Sequence, residues 1–227
     1  MKQLPEKRSP LLLCLCALLI LAALLIGGVL LVISNRPTPV LVEMGQPILL
    51  NPQQDEESKT LLFSYYAGLD LEHGSVRSTV EGATLYPNLD AAGIDWADLS
   101  PAEADSHGQT PFLLLDIYLE NLDAQPASGT FRAYYPLYPA QAFTGWSVIG
   151  DSPFLPIEPV YFSDHADADQ EVSADPSFTS PYLHFTLSPG SSRRFQVGYF
   201  LQDTDQHYIL NYGTSGTSRK YGAILDY

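Results

Sequence analysis

Hydrophobic and polar positions fall into two regimes along the chain. From Leu11 to Ile33 apolar residues run without a charge for 23 positions. Beyond Pro39 the pattern alternates with a period of two, the spacing that puts successive side chains on opposite faces of a strand. Phe112–Glu120 (FLLLDIYLE) places Leu113, Leu115, Ile117 and Leu119 on one face. Phe112, Leu114, Asp116, Tyr118 and Glu120 fall on the other. Arg194–Leu201 sets Phe195, Val197, Tyr199 and Leu201 inward, and Tyr182–Leu187 does the same with Leu183, Phe185 and Leu187. Between these two runs lies Ser188-Pro189-Gly190-Ser191. Proline presets φ and glycine supplies positive φ, so the pattern predicts a hairpin.

Further strands are predicted at Val40–Leu50, Thr60–Ala67, Ser75–Tyr86, Thr130–Tyr138, Pro156–Phe162, His207–Tyr212 and Lys220–Asp226. The last two are joined by Gly213–Ser218 as a second hairpin. Pro87–Pro111 and Ser163–Pro176 are acidic and loop-like, the first with a helical turn around Trp96. Many short strands with alternating faces read as a mainly β domain, an antiparallel β-sandwich.

The Leu11–Ile33 run, at about 1.5 Å per residue, spans roughly 34 Å as a helix and would cross a hydrocarbon core of about 30 Å. Lys2, Lys7 and Arg8 precede it and Arg36 follows. The excess of positive charge before the helix predicts a cytoplasmic N-terminus and an extracytoplasmic remainder. A cleaved signal peptide ending at Ser34 is the rival reading, but its apolar region runs about 7–15 residues, well short of this one. The expected organisation is a cytoplasmic tail at 1–10, a transmembrane signal anchor at 11–33, a Pro-containing stalk at 34–39 and an extracytoplasmic domain at 40–227.

Charge then narrows the partners. The formal net charge is −15 at pH 7, and past Arg36 seven Lys/Arg face 25 Asp/Glu, leaving −18. Phosphate backbones and anionic surfaces would be repelled, so nucleic acid is excluded as a partner. Both cysteines, Cys14 and Cys16, lie in the apolar run. The remainder therefore has neither a disulfide nor a thiolate nucleophile, which leans towards a bacterial surface protein.

Two segments carry a resemblance. Leu183–Phe200 (LHFTLSPGSSRRFQVGYF) and Phe112–Pro126 (FLLLDIYLENLDAQP) resemble the strand–turn–strand and strand–Asn-turn segments of bacterial immunoglobulin-like extracytoplasmic domains. Such domains are found on Gram-positive lipoproteins and single-pass anchored surface proteins. The resemblance covers about half of the domain, and the chain departs from the lipoprotein members in lacking a lipid-modification site. It implies an immunoglobulin-like sandwich outside the membrane, and it transfers no catalytic residue.

Candidate chemistry is sparse. No cysteine follows the apolar run, so sortase-like transpeptidation has no nucleophile. A Ser–Lys pair would have to use Lys59, held charged by Asp55, Glu56 and Glu57, or Lys220. The Gly-x-Ser-x-Gly elbow is absent. His73, His107, His165, His184 and His207 show no zinc spacing. Asp164, Asp167, Asp169 and Glu171 alternate in the acidic loop and are calcium candidates, although the glycine and bidentate glutamate of an EF-hand loop are missing. Tyr134, Tyr135, Tyr138 and Trp146, with Tyr65 and Tyr66, are candidates for stacking on a ligand. Against that, tyrosines favour strands for packing reasons alone.

These features together predict a non-enzymatic, membrane-anchored surface protein without a cofactor. Its partner would be another protein at the cell surface. A module binding cell-wall glycan or peptide, and a membrane-anchored hydrolase, remain as alternatives.

Overall fold

The computed structural model of the chain describes residues 10–34, 39–51, 68–69, 71, 73–99, 108–126, 129–144, 156–163, 183–212 and 221–227. The chain divides into two compact units, Met1–Pro37 and Thr38–Tyr227.

The first unit holds a 25-residue helix, α1 (Pro10–Ser34). Its described side chains cover 17–29 and are exposed, Leu18, Leu21, Leu25 and Val29 among them. Among the described residues no helix is long and apolar enough to cross a membrane. This finding corrects the predicted transmembrane helix. The single-pass anchor, the membrane as partner, the extracytoplasmic location and the membrane-anchored surface function all rested on that helix, and they fall with it.

The second unit is mostly β. Its strands in chain order are β1 (Val40–Glu43), β2 (Ile48–Leu50), β3 (Gly68–Leu69), β4 (Val76–Tyr86), β5 (Phe112–Asn121) and β6 (Phe131–Tyr134). There follow β7 (Leu137–Pro139), β8 (Tyr161–Phe162), β9 (Leu183–Phe185), β10 (Ser192–Phe200), β11 (Tyr208–Asn211) and β12 (Tyr221–Ile224). Two short helices, α2 (Leu89–Ala92) and α3 (Ala140–Thr144), and a 3-10 turn at Trp96–Asp98 complete the described elements.

The strands form three open sheets, ordered β1-β12-β11-β7, β2-β4-β5-β10-β8 and β3-β6-β9. The predicted immunoglobulin-like antiparallel sandwich is corrected to this arrangement. Two chain breaks explain the difference. The expected strand Val40–Leu50 is interrupted by a turn, closed by Gln46 N–H donating to the Glu43 carbonyl at 3.1 Å. Its first part, β1, then pairs parallel to β12, and its second part, β2, pairs antiparallel to β4. The expected strand Thr130–Tyr138 breaks at Pro136, which has no N–H to give a ladder. β6 lies in the three-stranded sheet and β7 in the four-stranded one. The predicted pairing of the last two strands is present, with β11 antiparallel to β12.

The Ser188–Ser191 turn forms, with Ser191 N–H donating to Ser188 O at 3.0 Å, but it joins no hairpin. β9 pairs with β6, while β10 pairs with β5 and β8. The cause is a clamp at the end of β5. Buried Asn121 donates from Nδ2 to the Leu187 carbonyl at 2.7 Å and to the Ala124 carbonyl at 3.1 Å. Its Oδ1 accepts from Ala124 N–H at 2.7 Å, and its backbone exchanges bonds with Gly190 and Ser191. The turn is thus docked on β5, and the chain passes from one sheet to another there.

One core joins the three sheets. Leu50, Val80, Leu115, Ile117 and Val197 come from the five-stranded sheet. Phe131 and Phe185 come from the three-stranded sheet and stack at 5.5 Å, while Leu210 and Ala223 come from the four-stranded one. The outer face of the five-stranded sheet carries a second, smaller core at one end. Segment 87–99 folds over it, putting Leu89 and Leu99 on Phe112, Leu114 and Phe200. Asn88 and Asp95 shape that segment, accepting from Ala91 N–H at 2.9 Å and Ala97 N–H at 3.0 Å. Trp96 stacks on Phe200 at 5.9 Å.

Candidate functional site

Among the described residues, the other end of the same outer face is polar and open. Here β5 and β10 run in register, with Gln196 opposite Asp116 and Arg194 opposite Tyr118. The ladder of β4 and β5 slips by one residue between Val80 and Gly82. Such a bulge breaks strict alternation. Glu81 is the extra residue, and the ladder resumes with Gly82 opposite Asp116 and Ala83 opposite Leu115. A Cβ on Gly82 would come within 3.0 Å of Asp116 Oδ2, so glycine makes room for that carboxylate.

A cleft of about 300 Å3 opens over the bulge, lined by Glu81, Asp116, Ile117, Ser163, Arg194, Phe195 and Gln196. Its polar groups are held in place by one another. Arg194 grips Glu81 with two bonds, Nε to Oε2 at 2.8 Å and Nη2 to Oε1 at 3.0 Å. The guanidinium also lies 4.6 Å from the centre of the Tyr118 ring. This guanidinium holds the Glu81 carboxyl below the usual carboxylate range, mainly through the hydrogen bond. Gln196 Nε2 donates to Asp116 Oδ1 at 2.9 Å, and Gln196 N–H donates to Ser163 Oγ at 2.9 Å. Beyond these bonds the Ser163 hydroxyl has a proton to donate and Asp116 Oδ2 can accept, and among the described residues no further partner of either is seen. Glu81 has its cation; among the described residues Asp116 has none.

The stacking candidates lie elsewhere. Tyr135 is fully buried, its ring 6.0 Å from those of Phe195 and Tyr212. Tyr134 is buried and its hydroxyl donates to Glu158 Oε1 at 3.2 Å. Tyr138 packs edge-on against Phe143 at 6.0 Å. The structure thus gathers none of these three rings at the cleft. Trp146, Tyr65 and Tyr66 lie outside the described residues, as do Lys59, Lys220, His107 and His165. The calcium candidates Asp164, Asp167, Asp169 and Glu171 also lie outside them. Among the described residues no three His, Cys, Asp or Glu side chains gather as metal ligands.

A second polar group sits inside the main core. Ser78 Oγ, Tyr135 OH and Tyr212 OH are buried and have no hydrogen-bond partner among the described residues. Burial pushes both phenols well above their ordinary range. Ser78 is near enough to temper that rise in both, yet its Oγ lacks the distance or angle of a bond to either. Tyr199, buried beside them, is raised too, and its hydroxyl does find a partner, the Tyr135 carbonyl at 2.7 Å.

The residues of the cleft were partly visible in the pattern. Asp116 interrupts an otherwise apolar stretch, and Arg194 and Gln196 fall on the outward face of their strand. The bulge that adds Glu81 carries no signal beyond Gly82. By fold and site the described residues form a mostly β domain of three open sheets with a cleft lined largely by polar groups on one outer face. No protein-family model, curated protein or solved structure matches it.

Proposed function

We propose that the chain is a non-catalytic binding module whose cleft takes a small ligand presenting a primary ammonium group to Asp116. The observation that carries this reading is the Asp116 carboxylate, oriented by Gln196, facing an open cleft and lacking a cation partner among the described residues. Ser163 and Gln196 supply a hydroxyl donor and an amide acceptor beside it. The chain's net charge of −15 draws cations towards such a site. Glu81 is not suited to act as a general acid. A general acid must hold its proton near the working pH, and Arg194 keeps this carboxyl ionised.

Calorimetry tests the reading with Nα-acetyl-lysine methylamide and the same probe acetylated on its ε-amine. A hydrogen bond to a charged group contributes about 1.5–3 kcal/mol, so removing the charge should weaken binding by about tenfold or more. The amine is expected to bind, the acetylated probe and the Asp116→Asn variant to show that loss, and thermal stability to stay unchanged. Equal heats for both probes and both proteins, or none at all, would refute the assignment.

A further inference from the structure

We infer that the main core holds one internal water molecule, bound between the layers by the hydroxyls of Ser78, Tyr135 and Tyr212. Ser78 projects from β4 of the five-stranded sheet, where it lies opposite Ile48 and Leu119, both buried. Tyr135 lies between β6 and β7, and Tyr212 follows β11, both outside that sheet. The two tyrosine rings meet edge to face at 6.0 Å. All three side chains are fully buried.

Three hydroxyls close together, each without a hydrogen-bond partner among the described residues, are costly in an apolar surrounding. Natural cores satisfy such groups with protein or with water. Tyr199 shows the first solution, since its hydroxyl reaches the Tyr135 carbonyl at 2.7 Å. The other three are buried without a partner among the described residues, with the two tyrosine rings in edge contact, a setting that suits a small molecule able to donate and accept at once. Internal waters typically make about three hydrogen bonds to such groups. One water meets all three hydroxyls by donating to two and accepting from the third. It would tie the five-stranded sheet to the opposite layer through polar contacts embedded in an apolar core.

Oxygen-17 magnetic relaxation dispersion on the full chain counts long-lived internal waters. The wild type is expected to show one more than the Ser78→Ala/Tyr135→Phe/Tyr212→Phe variant. The triple variant should also lose less stability than the three single changes added together, because removing one hydroxyl strands the other two. If the triple variant does not fold, the wild type still decides. Nuclear Overhauser transfer from a long-lived water to the Tyr135 and Tyr212 rings is expected. Equal dispersion in the two proteins, additive losses, or transfer-silent tyrosines bonded directly to one another or to another segment of the chain would overturn the inference.

Discussion

The outer face of the five-stranded sheet carries two regions built from the same three strands. At one end Phe112, Leu114 and Phe200 lie beneath segment 87–99. At the other, Asp116, Arg194 and Gln196 stand open around a cleft. The ladder β5–β10 runs without a break through both, so the backbone does not distinguish them. Alternate side chains do. Apolar residues at the outward positions need a cover, and the 87–99 segment supplies it, while charged residues there keep solvent and leave room for a ligand. Each region also has one glycine that permits a close approach. A Cβ on Gly198 would run into the Phe112 ring, and one on Gly82 would crowd Asp116. The same device closes packing at one end and makes space for a carboxylate at the other.

Both regions share one inner face, and the largest expected effect acts there. Buried Tyr135, Tyr199 and Tyr212 have raised phenol pKa values, and Tyr227 is pushed up to about 12, chiefly by burial. The folded chain therefore keeps protons that the unfolded chain loses above about pH 10. Stability is full below that pH and falls as pH rises through it. Each tyrosine that stays protonated adds a loss of up to about 1.4 kcal/mol per pH unit. Urea midpoints measured from pH 9 to 11 should fall steeply, and a flat profile would contradict the burial of these groups.

Next in size is Phe112→Ala. It empties the centre of the covered end and should cost about 4 kcal/mol, read from urea unfolding. The affinity of the open end for an amine should stay within about twofold, since separated sites act independently. Asn121→Ala follows at about 2–3 kcal/mol, because the Leu187 carbonyl and the Ala124 backbone lose buried bonds. Equilibrium unfolding checks it, and a neutral result would remove the clamp from the account. The smallest effect is that of Arg194→Ala on stability. Its side chain is 68% exposed, so the pair with Glu81 is screened by solvent, and any change in melting temperature should vanish at high salt.

The inner face was legible because alternation was strict. Leu113, Leu115, Ile117 and Leu119 are buried as the spacing predicts, and so are Phe195, Val197, Tyr199 and Leu201. Phe112, Leu114 and Phe200 gave a weaker hint, since apolar residues on an outward face ask for a cover without saying which segment provides it. What stayed hidden was non-local. The parallel pairing of β1 with β12 joins strands from opposite ends of the domain, and no local pattern encodes it. The Pro-Gly turn had the right chemistry, but buried Asn121, far away in the sequence, decides that it links two sheets. The apolar N-terminal run predicted a membrane crossing from its length and its lack of charge, and among the described residues no helix is long and apolar enough to cross a membrane. The cleft needed both a register slip at Gly82 and a cross-strand view of Asp116 beside Gln196.

Chemical-shift mapping with Nα-acetyl-lysine methylamide tests the central claim most directly, because it reports on both ends of the sheet in one titration. The account predicts saturable shifts at Asp116, Ser163 and the Gln196 side-chain amide, with Leu89, Leu114 and Phe200 unmoved and the affinity weakened about tenfold or more in Asp116→Asn. Shifts centred on the covered end, or a titration that moves neither, would contradict it.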